Sequence, residues 1–181
     1  MAKQFPALPG FYYYFFLYLE PLSTFGPAFT CLFYPGTAWF YHELVPSAVP
    51  PPTTIVGMED RTVAAVWQLA NAYMLLGLLQ SIGWRAVRDT LSDKPAVQER
   101  IIGASMAALA FADVTHVIVS LIAAPADIRF DFANWNAMSH GNITAVIVLC
   151  LVRLAWFAGI GRTRYYFGQE QPKDGKKKKK S

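Results

Sequence analysis

Four long apolar segments, separated by polar or proline-rich stretches, set the pattern of this chain. They cover residues 11–33, 62–84, 101–124 and 136–160. About 20 apolar residues are enough for a helix to cross a bilayer, and none of the segments shows the alternation of a half-buried strand. The pattern therefore predicts an all-α polytopic membrane protein, a four-transmembrane-helix bundle.

Short polar regions flank and connect the predicted spans. The expected units are an N-terminal lead over residues 1–10, the transmembrane domain over 11–161 and a basic tail over 162–181. The connection over residues 85–100 carries four lysines and arginines, whereas those over 35–61 and 125–135 carry one each. Because positive residues concentrate on the cytosolic side of a membrane, both termini are expected to be cytosolic.

The composition agrees with a membrane protein, since 54% of the residues are hydrophobic and 15% are charged, against about 25% charged in soluble domains. The formal net charge of +4 is due to the terminal block Lys176–Lys180. No basic patch interleaved with aromatics is left to indicate nucleic-acid binding. Lys178 and Lys179 are fourth and third from the C-terminus, which resembles a di-lysine retrieval signal of the endoplasmic reticulum. Contact with anionic lipid is the alternative.

Three ionisable side chains stand out within the apolar segments. Glu20 lies near the middle of the first segment and precedes Pro21, which frees backbone carbonyls and kinks a helix. Asp113 and His116 lie three residues apart, on one face of a helix. Ionisable groups at membrane depth are costly and face a bundle interior or a wet cavity. They mark either a functional site or structural hydrogen bonds between helices.

The expected depths of the polar residues agree with one another. At about 1.5 Å per helical residue, Glu20 lies roughly 14 Å from the cytosolic face. Asp113 falls near the midplane, and His116 lies one turn towards the lumen. The polar residues expected in the luminal half of the second and fourth spans are Gln68, Asn71, Asn136, His140 and Asn142. A single pocket shared by the four helices is expected, with a structural hydrogen-bond network at the same depth as the alternative.

The residue types at this depth suit proton transfer. A carboxyl group in a low-dielectric cavity is stabilised in its neutral form and can act as a general acid, and a nearby histidine can relay a proton. The predicted catalytic residues are Glu20, Asp113, His116 and His140. The predicted substrate-binding residues are Gln68, Asn71, Trp135, Asn136 and Asn142.

The remaining polar residues are interpreted differently. His116 and His140 lack the tight spacing of metal ligands, so no metal site is expected. His42 and Glu43 are expected to be solvated or interfacial residues of a loop. Arg153 lies in the cytosolic part of the fourth span and is expected to snorkel, or to pair with a neighbour near that face.

Four sequence pieces carry a resemblance to a known family. They are LYLEPLS at 17–23, QLANAY at 68–73, ADVTH at 112–116 and WNAMSHGN at 135–142. In this order they resemble a fungal family of small four-helix integral membrane proteins, described as a domain of unknown function. That family commonly has an acidic residue after Trp-Asn-Ala-Met, where this chain has Ser139-His140. Some members are similar in size and helix count to emopamil-binding-protein-like sterol isomerases, and some lie beside fungal secondary-metabolite genes.

The residues and the resemblance together favour a membrane-embedded acid–base isomerase or cyclase of the endoplasmic reticulum, acting on a hydrophobic terpenoid or polyketide intermediate. Glu20 or Asp113 would protonate a double bond or epoxide, and His116 or His140 would relay or remove a proton. The aromatic residues that could shield a developing cation are Trp67, Tyr73 and Trp135. No redox or phosphate-binding motif is present, so no cofactor is expected. The alternative is a non-catalytic lipid-binding or scaffold protein that contacts other pathway enzymes.

Overall fold

A computed structural model describes residues 5–168, and within this range all regular secondary structure is helical. The first helix, α1, runs over residues 11–32 as Phe11–Tyr14, a π-helical turn Phe15–Leu19, and Glu20–Leu32. The others are α2 (Thr37–Glu43), α3 (Asp60–Thr90), α4 (Pro95–Ala123) and α5 (Ala137–Ala158), with a 3-10 turn at Phe132–Asn134 before α5. The prediction of an all-helical chain is confirmed for the described residues.

Helices α3, α4 and α5 are each long and apolar enough to cross a membrane. They contain 31, 29 and 22 residues, and their most apolar stretches have mean hydropathies of 1.5, 1.9 and 1.9. Large apolar side chains are exposed on their outer faces, among them Leu79, Phe111 and Leu151. These three helices fit a multi-pass membrane protein. Helix α1 corresponds to the first of the four predicted spans and forms where it was expected. It is not one of the three helices that are long and apolar enough to cross a membrane.

Two connections differ from the sequence prediction. The predicted charged loop over 85–100 is mostly helical, because α3 continues to Thr90 and α4 begins at Pro95. Arginine and alanine are good helix formers and proline suits a first helical turn, so the charges end the apolar segment but not the helix. The predicted loop over 35–61 contains α2. This helix packs against α1 and α3, and its Phe40 is fully buried among their side chains.

Pro21 determines how α1 is joined to α3. The Glu20 N–H donates to the carbonyl of Phe15, and Pro21 has no N–H, so the carbonyls of Phe16 and Leu17 lose their usual helical donors. Side chains of α3 replace them. Gln80 Nε2 donates to the Phe16 carbonyl at 2.8 Å, and Arg85 Nη2 donates to the Leu17 carbonyl at 3.1 Å. The expected release of backbone carbonyls at Pro21 is confirmed, and it is compensated by polar side chains.

The long helices pack as two pairs. Helix α1 lies along α3, and α4 lies along α5. A side-chain carbon at Gly77 would come within 2.5 Å of Thr24 Oγ1 and 2.8 Å of Phe25 Cε1, so the α1–α3 approach needs glycine there. An apolar core at the end of the bundle nearer the N-terminus includes Phe16 from one pair and Trp156 from the other.

The start of the predicted basic tail is folded onto the bundle. The fully buried Glu99 pairs with Arg162, and its Oε2 accepts from the backbone N–H groups of Tyr165 at 2.6 Å and of Phe167 at 3.3 Å. The Arg162 guanidinium carbon lies 3.8 Å from the centroid of the Trp156 ring. The first residues after 161 therefore pack against the bundle through Glu99 and Trp156. The terminal lysines lie outside the described residues.

Candidate functional site

Three charged side chains meet in the interior between the two helix pairs. Arg153 of α5 reaches Glu20 of α1, with Nη2 at 2.5 Å from Oε1 and Nη1 at 3.4 Å from Oε2. Its Nε lies 3.4 Å from Oδ2 of Asp113 on α4. The exposed fraction of the side chain is only 2% for Arg153, 4% for Glu20 and 10% for Asp113. We call Glu20, Asp113 and Arg153 the buried triad.

The two carboxylates of the buried triad are not held equally. Both Glu20 oxygens accept from the Arg153 guanidinium, which is the strong bidentate arrangement. Arg153 Nε and Asp113 Oδ2 face each other at ion-pair distance, yet neither makes a hydrogen bond to any described residue, because their orientation is unfavourable. Glu20 is therefore held by two hydrogen bonds from Arg153, whereas Asp113 Oδ2 faces Arg153 Nε without a hydrogen bond.

Arg153 occupies one of its two expected positions. The alternative of snorkelling towards the cytosolic face is wrong, because only 1% of the residue is exposed. The alternative of pairing is correct, but the partners come from α1 and α4. A cation inside an apolar bundle needs an opposite charge, since burying it alone would cost several kcal/mol.

A cavity of about 820 Å³ lies between α3 on one side and α4 and α5 on the other, at the end of the bundle where α2 packs. This volume is typical of small-molecule sites, which span roughly 300–1,000 Å³. Its walls are mostly apolar, with Leu69, Val119 and Ile143 among them. The titratable and amide side chains at its surface are those of Tyr41, His42, Tyr73, His116 and Asn142.

His116 and Asn142 form one polar pair at the surface of this cavity. His116 is half-buried on α4 and lines the cavity together with Asn142 of α5. Asn142 lies in the π-helical turn His140–Ala145. Such turns rotate the side chains that follow and often occur at functional sites.

His42 and Glu43 form a second polar pair. They were expected to be solvated or interfacial residues of a loop, but they lie on helix α2. The imidazole Nδ1 lies 3.0 Å from Glu43 Oε1, and the two side chains are only 17% and 20% exposed. Asn136 Nδ2 donates to Glu43 Oε2 at 3.1 Å and to the Glu43 carbonyl at 2.9 Å. Burial of Phe40 on the same short helix draws this segment inward. The aromatic run before His42 was the signal that could have revealed it.

The other predicted site residues separate from one another. Trp135 lines the cavity, and its indole Nε1 donates to the Ile128 carbonyl at 2.9 Å. Gln68, Asn71 and His140 are exposed on outer helix faces and do not line the cavity. The rise per residue gives the position of a residue along the helix axis, but it does not give the direction in which the side chain points. The expected single pocket is therefore replaced by the buried triad, the cavity and three outward-facing polar residues.

Within residues 5–168, no three His, Cys, Asp or Glu side chains are placed to hold a metal ion together. Cys31 and Cys150 are free thiols. The polar side chains that line the cavity are imidazole, phenol, amide and hydroxyl groups, the hydroxyls being those of Ser47, Ser120 and Ser139 as well as the two tyrosines. The two carboxylates expected to act as acids belong to the buried triad and do not line the cavity.

Comparison with known proteins identifies the family. A family described as a domain of unknown function (DUF7704) matches residues 5–163, most of the chain, and the protein belongs to this family. Searches of the curated proteins and of the solved structures give no match. The expected membership in a family of unknown function is confirmed.

The buried triad makes a prediction about stability. Arg153→Met leaves two carboxylates without their cation and should lower the free energy of unfolding by about 3–5 kcal/mol. Adding Glu20→Gln to Arg153→Met should recover a large part of that loss, because one of the unpaired charges is removed. The control is Arg61→Met, at a fully exposed ion pair, which should change stability by less than about 1 kcal/mol. Denaturant titration in mixed micelles measures all four proteins. A double variant no more stable than Arg153→Met would contradict this account.

Proposed function

We propose that this member of the DUF7704 family is a membrane-embedded acid–base isomerase or cyclase that binds a hydrophobic small molecule in the cavity between its helix pairs. The observation that supports it best is an apolar cavity of about 820 Å³ with two imidazoles, His42 and His116, at its surface. Apolar walls match a hydrophobic ligand, and a few placed polar groups fix its orientation. Imidazole is the side chain most often used for proton transfer near neutral pH.

The proton-transfer groups of this proposal differ from those first expected. Glu20 and Asp113 lie against Arg153 and are assigned a structural role. His116 keeps a place in the proposed chemistry, supported by its position at the cavity surface beside Asn142. His140 is assigned no role in the chemistry, since its Nδ1 pairs with Thr144 Oγ1 at 3.0 Å on an exposed face.

The membrane arrangement belongs to the proposal. Helix α1 is taken as a membrane span in addition to α3, α4 and α5, because it packs along α3 and shares the buried triad with α4 and α5. Both termini are assigned to the cytosol from the lysines and arginines around residues 85–100 and in the tail. The endoplasmic reticulum is assigned from Lys178 and Lys179, and a terpenoid or polyketide substrate of fungal secondary metabolism from the resemblance of the sequence.

A non-catalytic lipid-binding or scaffold protein is the second candidate. It is favoured by the predominance of apolar side chains in the cavity wall, which suits a lipid tail as well as a substrate. The two candidates differ in the effect of changing His116. Loss of product formation with retained binding is expected for the enzyme, whereas the lipid-binding protein has no product to lose.

Filling the cavity tests ligand binding directly. Ser120→Phe, at the cavity surface on α4, should weaken binding by at least about tenfold, equivalent to 1.4 kcal/mol. Ser105→Phe makes the same change on the same helix away from the cavity and should leave binding intact. Sterols, linear terpenoids and polyketide-derived aromatics are compared by the thermal stabilisation they give in micelles. Equal stabilisation of both variants, or none of the wild type, would refute the proposed site.

One experiment tests topology and compartment together. A glycosylation acceptor inserted between α2 and α3, in residues 44–59, should be modified, because this connection is assigned to the lumen. The attached glycan should stay sensitive to endoglycosidase H, as expected for residence in the endoplasmic reticulum. An acceptor appended to the C-terminal tail provides the cytosolic control and should stay unmodified. The reverse pattern would overturn the assigned topology, and a resistant glycan would overturn the compartment.

A further inference from the structure

Resting on the function proposed above, we propose that the cavity acts on a hydrophobic carbonyl compound. His42 moves a proton from one carbon atom of this compound to another, while His116 and Asn142 hold the carbonyl oxygen. This assigns the substrate class and names a catalytic base, His42, with Glu43 and Asn136 as positioning residues.

The environment of His42 is that of an oriented base. Glu43 Oε1 accepts from Nδ1 at 3.0 Å, which leaves Nε2 as the basic nitrogen of the neutral ring. The other carboxylate oxygen accepts from Asn136 Nδ2 at 3.1 Å, and Asn136 Oδ1 accepts from the Ser139 backbone N–H at 2.8 Å. Base, carboxylate and amide therefore form a chain anchored on the first turn of α5. A nitrogen base oriented by a third group is the arrangement that activates proton transfer.

The position of the carboxylates decides between two kinds of isomerisation. Protonating a simple alkene to a carbocation needs a strong acid, and the strongest candidate acids, Glu20 and Asp113, are held by Arg153 away from the cavity wall. Imidazole can remove a C–H proton only where a neighbouring carbonyl makes that proton acidic. The groups that line the cavity therefore fit an enolisation and do not fit a carbocation mechanism.

The polar pair His116 and Asn142 supplies what an enolate needs. Both residues line the cavity, and their side chains carry N–H groups that can donate to a ligand. The hydroxyl of Tyr73 lies at the same cavity. Donors fixed in an apolar, water-poor site stabilise a developing oxyanion strongly, because they need no reorganisation.

The proposed step balances without a cofactor. His42 Nε2 takes the proton from the carbon between the carbonyl and a β,γ double bond. The C–H electron pair forms a new C=C bond, and the carbonyl π electrons move onto the oxygen to give a dienolate. The imidazolium then returns the proton to the γ carbon, the C=O bond re-forms, and the conjugated enone leaves. No electron is lost or gained overall.

The test uses the full chain in lipid nanodiscs and the β,γ-unsaturated isomer of androstenedione as probe. Wild-type protein should convert it to the conjugated enone, followed by ultraviolet absorbance. His42→Gln should lose at least about 100-fold in rate, while binding of the probe, read by thermal stabilisation, stays within about twofold of wild type. Added imidazole should restore part of the rate in His42→Ala, which a merely structural role of His42 would not allow.

The positioning residues are tested with a matched pair of variants. Glu43→Gln should lower the rate of conversion with little change in binding, whereas Glu59→Gln, an exposed glutamate at the start of α3, should change neither. Binding of the probe without conversion by wild-type protein, or an undiminished rate in His42→Gln, would overturn this inference and leave the ligand-binding cavity standing. Absence of any binding, even of the conjugated product, would overturn the proposed function as well.

Discussion

The packing of one helix pair against the other depends on one buried cation. Arg153 lies between Glu20 and Asp113, and through them the α4–α5 pair is joined to α1 and its partner α3. Three charges deep in an apolar bundle are costly unless they meet in good geometry, so the relative placement of the two pairs is constrained to the one that lets them meet. The same constraint removes both carboxylates from the cavity. Two carboxylates that the sequence suggested as acids therefore face Arg153 and do not line the cavity.

The second constraint comes from the backbone. In an apolar surrounding, each peptide carbonyl without a partner costs several kcal/mol, and Pro21 takes the helical donor away from Leu17. Gln80 and Arg85 supply replacements from α3. Apart from those on the outer helix faces, the polar side chains described above divide into those that pair charges, those that bond to the backbone, and those around the cavity. Only the last group is free for a ligand.

Much of the architecture could be predicted from the sequence, for simple reasons. An apolar segment of 20 residues or more specifies a helix and a membrane surrounding, and three such helices form where they were expected. The release of carbonyls at Pro21 follows from its missing N–H. These are local properties, which depend on the residue itself or on its immediate neighbours in the chain.

The candidate site could be predicted only in part, because it depends on how helices are rotated about their axes. Gln68 and Asn71 share one face as their spacing requires, but that face points outward. The partners of Arg153 come from helices distant in the chain. The pair His42 and Glu43 lies on a seven-residue helix. Burial of this helix depends on the tertiary contacts of Phe40. A segment this short shows no periodicity, and the aromatic run over residues 39–41 was its one sequence signal.

The central claim is that the cavity beside His42 and His116, and not the buried triad, receives a hydrophobic ligand. Photolabelling tests it most directly, with a diazirine-bearing steroid ketone in nanodiscs and mass spectrometry to locate the adducts. Labels that compete with unlabelled ketone are expected on residues 41–47 of the α2 end and on residues 116–124 of α4. Competable labels concentrated instead around Glu20 and Arg153, or spread evenly over the outer faces of α3 to α5, would contradict the account.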